Sequence, residues 1–310
     1  MFKKKIKLIF LLLLILLLLN CNNKNFPQKR IFKFLNFSNN YNIVYIYYDK
    51  KTKKQINKRR EAIIRTLKKI SKIKYKFVVM KYFISSKNHN EEIRIKNTFR
   101  NTKLTNIFLQ MANWNKTTFN GSISDITKYM KNNWFEITNF HINSKYLFDI
   151  KKYIFPDKYF LSENKKIGHV LAYIKNKNFY NIPLFVKFNK FLIPSLPLLI
   201  ALKIKKLKLK NLKIKNINNN YIIQIKNNKI QLDKFMCIKI NIIPPQETFP
   251  VISMIDFLNK NINYNFDKNT IIVIGEGIMQ PKFNLTNDKI IDSNHIVLYN
   301  ALSIVENFYK

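Results

Sequence analysis

Apolar residues in this chain come in runs of different period, and the period predicts the element. Ile43-Val44-Tyr45-Ile46-Tyr47-Tyr48 is a β-rich run that stops at Asp49. Lys50 to Asn57 reads as a polar loop. Residues 58–72 then follow a helical spacing: Ile63, Leu67 and Ile70 share one face with Ile64 beside them, and Arg and Lys fill the other. Phe77-Val78-Val79-Met80 is a second buried-strand pattern. Strand, helix, strand in this order predicts a βαβ unit, that is, a parallel pair under a covering helix.

Further on, Glu91 to Arg100 suits a helix and Ile107-Phe108-Leu109-Gln110 a third strand. Residues 112–160 carry Trp114, Trp134 and many Asn without a clear period, and are expected to form an irregular insert with short helices. Ile167 to Ile174 predicts a strand, and Ile182 to Phe188 one that runs back. Pro194-Ser195 opens a short apolar helix, with Ser195 as its N-cap and Pro197 tolerated in the first turn. Tyr221–Ile225 and Ile230–Leu232 flank a Lys-Asn-Asn-Lys turn and predict a hairpin. Cys237 to Ile243 is another strand, stopped by Pro244-Pro245; Ser253 is expected to cap a helix through Leu258. Ile271 to Gly275 is wholly apolar, as in the middle of a parallel sheet. After a loop, Glu276 to Asn294, a last helix has Val297, Ala301, Ile304 and Phe308 on one face. The pattern predicts a single α/β domain over 42–309, with a mixed, partly parallel central sheet flanked by helices, the insert and a hairpin region.

The first stretch follows a different rule. Lys3, Lys4, Lys5 and Lys7 precede an unbroken apolar run of 12 residues, Leu8 to Leu19, and Asn20-Cys21 follow at once. A bilayer-spanning helix needs roughly 20 apolar residues, so the run suits a signal-peptide core better. Leu18-Leu19-Asn20-Cys21 resembles a relaxed lipobox, which implies removal of residues 1–20 and lipidation of Cys21. The alternative is an uncleaved signal anchor in which Cys21 is incidental. Residues 21–41 then read as a tether. The implied place is the cell envelope, on the extracytoplasmic side of a membrane.

Composition changes this picture little. The net charge is +39, but only 6 of 56 basic residues are Arg, and Lys is spread along the whole chain amid Asn, Ile and Tyr. Nucleic-acid readers lean on Arg for bidentate contacts, so a nucleic-acid partner is not expected. The charge still implies attraction to anionic lipid heads, polyanions or acidic partners. With Cys21 lipidated, Cys237 has no cysteine to pair with, and its apolar neighbours predict a buried, inert thiol.

The ordered pieces together carry a resemblance. They are Tyr47-Tyr48-Asp49; Arg60 to Leu67; Ile167-Gly168-His169-Val170 with Ile182-Pro183-Leu184; Pro194-Ser195-Leu196; Ile240-Asn241; Thr248 to Ser253; Ile271 to Gly275; and Asn294-His295-Ile296 to Asn300-Ala301-Leu302. Over about residues 42–309 the chain resembles the type-2 CHASE domain, an extracytoplasmic sensor module of bacterial cyclases and kinases. The resemblance implies a ligand-sensing or interaction role rather than catalysis. Members of that family usually continue into membrane helices and a cytoplasmic effector; this sequence ends at Lys310, so signalling through another membrane or envelope protein is expected.

Recognisable chemistry is sparse. His89, His141, His169 and His295 lack metal-ligand spacing, and neither a metal nor a cofactor is expected. Gly275-Glu276-Gly277 lacks the rest of a phosphate loop and reads as a tight turn after a strand. Ser122, Ser124 and Asp125 form no nucleophile elbow, and Glu91-Glu92 would diverge on a helix. If the strands are parallel, a ligand site belongs at their C-terminal ends, where the loops after Asp49, Tyr82 and Gly275 gather. Asp49, Gly275 and Glu276 are therefore the candidate ligand-binding residues. Two other readings stand beside the sensor: a surface adhesin whose Lys-rich face binds anionic glycan or lipid, and an extracytoplasmic enzyme with a site in the insert.

Overall fold

Strands that are apolar on both faces need cover on both sides, and that need organises the body of the protein. The computed structural model describes residues 42–56, 58–80, 107–113, 123–140, 142, 144–150, 153–154, 156, 165–176, 179–218, 220–241, 250–259, 264–276 and 290–292, together with 93, 97, 301 and 304. All lie within one unit, Tyr41–Lys310.

In chain order the strands begin with β1 (Ile43–Tyr48), β2 (Phe77–Met80), β3 (Ile107–Asn113), β4 (Phe135–Glu136), β5 (Tyr153–Ile154) and β6 (Lys165–His169). They continue with β7 (Leu171–Asn176), β8 (Phe179–Pro183), β9 (Phe185–Phe188), β10 (Phe191–Pro194), β11 (Lys213–Ile217) and β12 (Asn220–Ile225). The last are β13 (Asn228–Leu232), β14 (Cys237–Asn241), β15 (Val251–Ser253), β16 (Ile271–Glu276) and β17 (Ile290–Asp292). The α-helices are α1 (Lys50–Gln55), α2 (Arg59–Ile70), α3 (Ile123–Asn133), α4 (Leu196–Ile204) and α5 (Met254–Asn259).

The fold is α/β. Its central sheet runs β15-β1-β16-β2-β3-β6, every adjacent pair parallel, and β5 pairs antiparallel with the far end of β3. The expected parallel relation of β1 and β2 therefore holds, but they are not neighbours: β16 lies between them. On one side of the sheet Ile46, Met80, Leu109, Ile167 and Ile274 join a core with α2, α3 and α5. The residues that alternate with them, such as Phe77, Val79, Phe108 and Ile271, are also buried. Burying each such side chain contributes about 1.5–3 kcal/mol, so both faces of the sheet add to stability. α4 packs against β3 and β6 and is buried almost all round, with only Lys203 partly accessible. Its N-cap is the expected Ser195, whose Oγ accepts from the Leu198 N–H at 3.3 Å. Gly168 in β6 permits the close approach: a Cβ there would lie 2.6 Å from the Leu196 backbone nitrogen.

Several local expectations are corrected. Residues 50–55, expected as a loop, form α1; their sequence has no apolar face, and the helix starts from the Asp49 cap. Residues 112–160 hold α3, a longer helix than expected. It buries Ile126, Tyr129 and Met130, one helical stripe, and leads to buried Trp134. Tyr129 Oη accepts from the Ile167 N–H at 3.0 Å and Trp134 Nε1 donates to the Ile167 carbonyl at 3.4 Å, so α3 and the residue that follows it satisfy backbone groups of β6. The expected strand from Ile167 to Ile174 breaks at Val170 into β6 and β7, which belong to different sheets. The cause is local, since His169 Nδ1 accepts the Leu171 N–H at 3.2 Å. The run Ile182 to Phe188 breaks likewise at Leu184, whose N–H goes to the Met236 carbonyl at 2.9 Å. Of the helix expected over Glu91–Arg100, Ile93 and Asn97 are described and helical; of the last helix, Ala301 and Ile304 are described, helical and buried. Ile290–Asp292, expected within a loop, forms β17 against β7.

Three smaller antiparallel sheets complete the body: β4-β10-β9, β14-β8-β7-β17 and the meander β11-β12-β13. The meander contains the predicted hairpin, with its turn at Lys226 in the left-handed region (φ 53°), and adds β11.

Candidate functional site

The sheet brings the C-terminal ends of β15, β1 and β16 side by side. Tyr47 pairs with Ser253 on one side and with Gly275 on the other, and Tyr48 pairs with Glu276. Asp49 follows directly. The candidate residues Asp49, Gly275 and Glu276 thus meet along one sheet edge. Tyr82 lies outside the described residues, as does Cys21.

Asp49 is the centre of a small polar network. Its Oδ1 accepts from the Thr52 N–H at 2.8 Å, from Thr52 Oγ1 at 2.6 Å and from Ser253 Oγ at 3.0 Å. Partial burial pushes the Asp49 carboxyl up, but the hydrogen bonds from Thr52 and Ser253 outweigh it and hold it below its ordinary range. Thr52 is fully buried, and its Oγ1 also accepts the Ile255 N–H at 3.1 Å. Ser253 therefore does not cap α5 in the expected way: the hydroxyl that takes a first-turn N–H of α5 is that of Thr52, on α1. One carboxylate and two hydroxyls tie the starts of α1 and α5 to the ends of β1 and β15. Lys69 of α2 secures the other end of α5 by donating to the Phe257 and Leu258 carbonyls, the latter at 3.0 Å.

Around this network the edge carries an ion pair, Lys51 to Asp256 at 2.5 Å, and the Tyr47 phenol, pushed up by burial and by the negative charges of Asp49 and Asp256. Gly275 lies within β16, not in a turn after it. A Cβ there would meet the Tyr45 Oη at 2.2 Å, so the Tyr45 ring occupies the space above the glycine. Burial pushes the Tyr45 phenol up as well.

The groups this edge presents are hydrogen-bonding ones: a carboxylate, two hydroxyls and a phenol. Among the described residues no histidine or cysteine adjoins Asp49, and no group of three or more His, Cys, Asp or Glu is placed to hold a metal. Cys237 is buried, and burial, with the charge of Asp233, pushes its thiol up; its Sγ lies 3.6 Å from the Phe235 carbonyl. His169 is wholly buried at the end of β6, its Nε2 without a hydrogen-bond partner among the described residues, and burial pushes it down to about 3. Ser124 and Asp125 sit exposed on α3; Ser122, His89, His141, His295, Glu91 and Glu92 lie outside the described residues.

Sequence reasoning missed Thr52, Ser253 as a partner of Asp49, and Asp256. The spacing Asp49-x-x-Thr52 is a capping signal that was available. The link to Ser253 depends on β15 pairing with β1, which no local pattern announces. No protein-family model, curated protein or solved structure matches the chain.

Proposed function

We propose that the chain is a membrane-anchored, extracytoplasmic binding module of the sensor kind that the type-2 CHASE resemblance implies, and not an enzyme. The observation that carries this reading is the apolar run Leu8–Leu19 ending at Asn20-Cys21, followed by an α/β body. Multiple acylation of Cys21 would hold the protein firmly, since each buried methylene contributes about 0.8 kcal/mol. The edge formed by β15, β1 and β16 supports a binding role: it offers a carboxylate, a phenol and an ion pair at the strand ends where open parallel sheets receive ligands. The partner is another membrane or envelope protein.

Mass spectrometry of the mature N-terminus, with protease accessibility on intact cells, tests the reading. The expected result is a diacylglycerol-modified Cys21 with residues 1–20 removed, and loss of the membrane fraction in Cys21→Ala. An intact leader on a freely soluble cytosolic protein would overturn it.

A further inference from the structure

We infer that the outer face of the β11–β13 meander, with the basic segment leading into it, is a docking surface for an anionic lipid headgroup layer. This inference rests on the membrane-anchored reading. Lysine is spread along the whole chain, but the acidic residues that could offset it are missing from this stretch. No Asp or Glu lies between Glu163 and Asp233, and seven lysines fall between Lys203 and Lys215. Of these, Lys206, Lys208, Lys210, Lys213 and Lys215 are exposed and have no acidic partner among the described residues.

Strand alternation then fixes which way the charge points. Lys213, Lys215 and Ile217 share one face of β11. Lys213 pairs with Gln224, which pairs with Lys229, so the basic row continues across the sheet. The opposite face carries Tyr221, Ile223 and Ile230, all buried, which holds the lysine face outward. Lysine on an edge strand is also a common guard against edge-to-edge pairing. That role accounts for Lys213 and Lys215 but not for the run Lys206–Lys210 ahead of the strand, nor for Ile217, left 47% exposed on the same face as Lys215.

An exposed aliphatic side chain on the same face as Lys213 and Lys215 suits a headgroup–acyl boundary, where the chain enters and the cations stay with phosphate. A single-stranded nucleic acid would call for stacking aromatics and arginine, and the outer face has neither.

The test uses the full chain with vesicles of phosphatidylcholine, alone or mixed with phosphatidylglycerol, and maps lysine acetylation by mass spectrometry. With phosphatidylglycerol, labelling of Lys206 to Lys215 and of Lys229 slows about fivefold, which corresponds to about 1 kcal/mol for a lysine at an anionic surface. Lys50, Lys53, Lys54 and Lys72 on and near α1 and α2 label equally in both vesicles, and high salt removes the protection. Replacing Lys206, Lys208, Lys210, Lys213 and Lys215 together by Gln abolishes protection of Lys229; replacing Lys50, Lys53, Lys54, Lys68 and Lys72 by Gln does not. Equal labelling of the meander in both vesicles overturns the inference, as does protection by an oligonucleotide but not by phosphatidylglycerol. Failure to float with phosphatidylcholine alone instead counts against the anchored leader.

Discussion

The parallel sheet and the β11–β13 meander are built from the same few residue types and use them in opposite ways. β2 is buried at all four positions, while β12 alternates between buried and accessible residues and β11 is mostly exposed. In the parallel sheet Lys is absent from β1, β2 and β16, and polar groups gather at and just beyond the strand ends, where Asp49, Thr52 and Ser253 tie caps together. In the meander, Lys sits inside the strands, because the fold leaves one face uncovered. The difference teaches that a chain this rich in Lys and Ile can be sorted by burial alone: period decides where charge is tolerated.

The strongest way to break this contrast is to cut the core of each region. Ile46→Ala, at a wholly buried position, costs about 3–5 kcal/mol, while Ile222→Ala on the outer face of the meander costs less than about 1 kcal/mol. Chemical denaturation of both variants checks the pair, and equal losses would abolish the contrast. Gly168→Ala comes next: its Cβ meets backbone of α4 rather than a yielding side chain, so about 3 kcal/mol is lost. A variant as stable as the parent would show that α4 shifts freely on β6.

His169 adds pH dependence to the parallel region alone. Its folded value of about 3 lies below the ordinary 6.5, so the unfolded chain binds the extra proton first. Its contribution is complete above the ordinary value and is lost as pH falls from there toward the folded value. Between about pH 7 and about pH 5 stability drops by up to about 2 kcal/mol, and His169→Gln flattens this slope in denaturant titrations. Asp49→Ala removes the shared cap and costs about 1–2 kcal/mol. The loss of Asp49's own contribution with acid falls lower, below its ordinary 3.8, because its shift is downward. The smallest effect is expected in the meander: Lys213→Gln with Lys215→Gln changes stability by no more than about 0.5 kcal/mol.

Much of the parallel region was legible in the chain because its signals are local. Ile43–Tyr48 and Ile271–Gly275 can hardly be anything but buried strands, and the stripe Ile63, Leu67, Ile70 announces α2. Elements whose cause is not hydrophobic were hidden. α1 has the sequence Lys-Lys-Thr-Lys-Lys-Gln and exists because a carboxylate caps it. The stripe of α3 was obscured by the Lys and Asn around it, and the break at Val170 depends on one imidazole accepting one N–H. The edge holding Asp49 and Gly275 could be guessed from topology. The bond from Ser253 to Asp49 could not, since it joins opposite ends of the chain.

The position of β16 between β1 and β2 has a consequence for biosynthesis. When Met80 has been made, the opening β-α-β segment has both flanks of a slot and nothing to fill it. The filler, Ile271–Glu276, arrives on the order of ten to forty seconds later at ordinary elongation rates. Through that interval the emerging polypeptide carries two greasy ribbons with open hydrogen-bonding rims. A holding chaperone is what would carry it safely to completion.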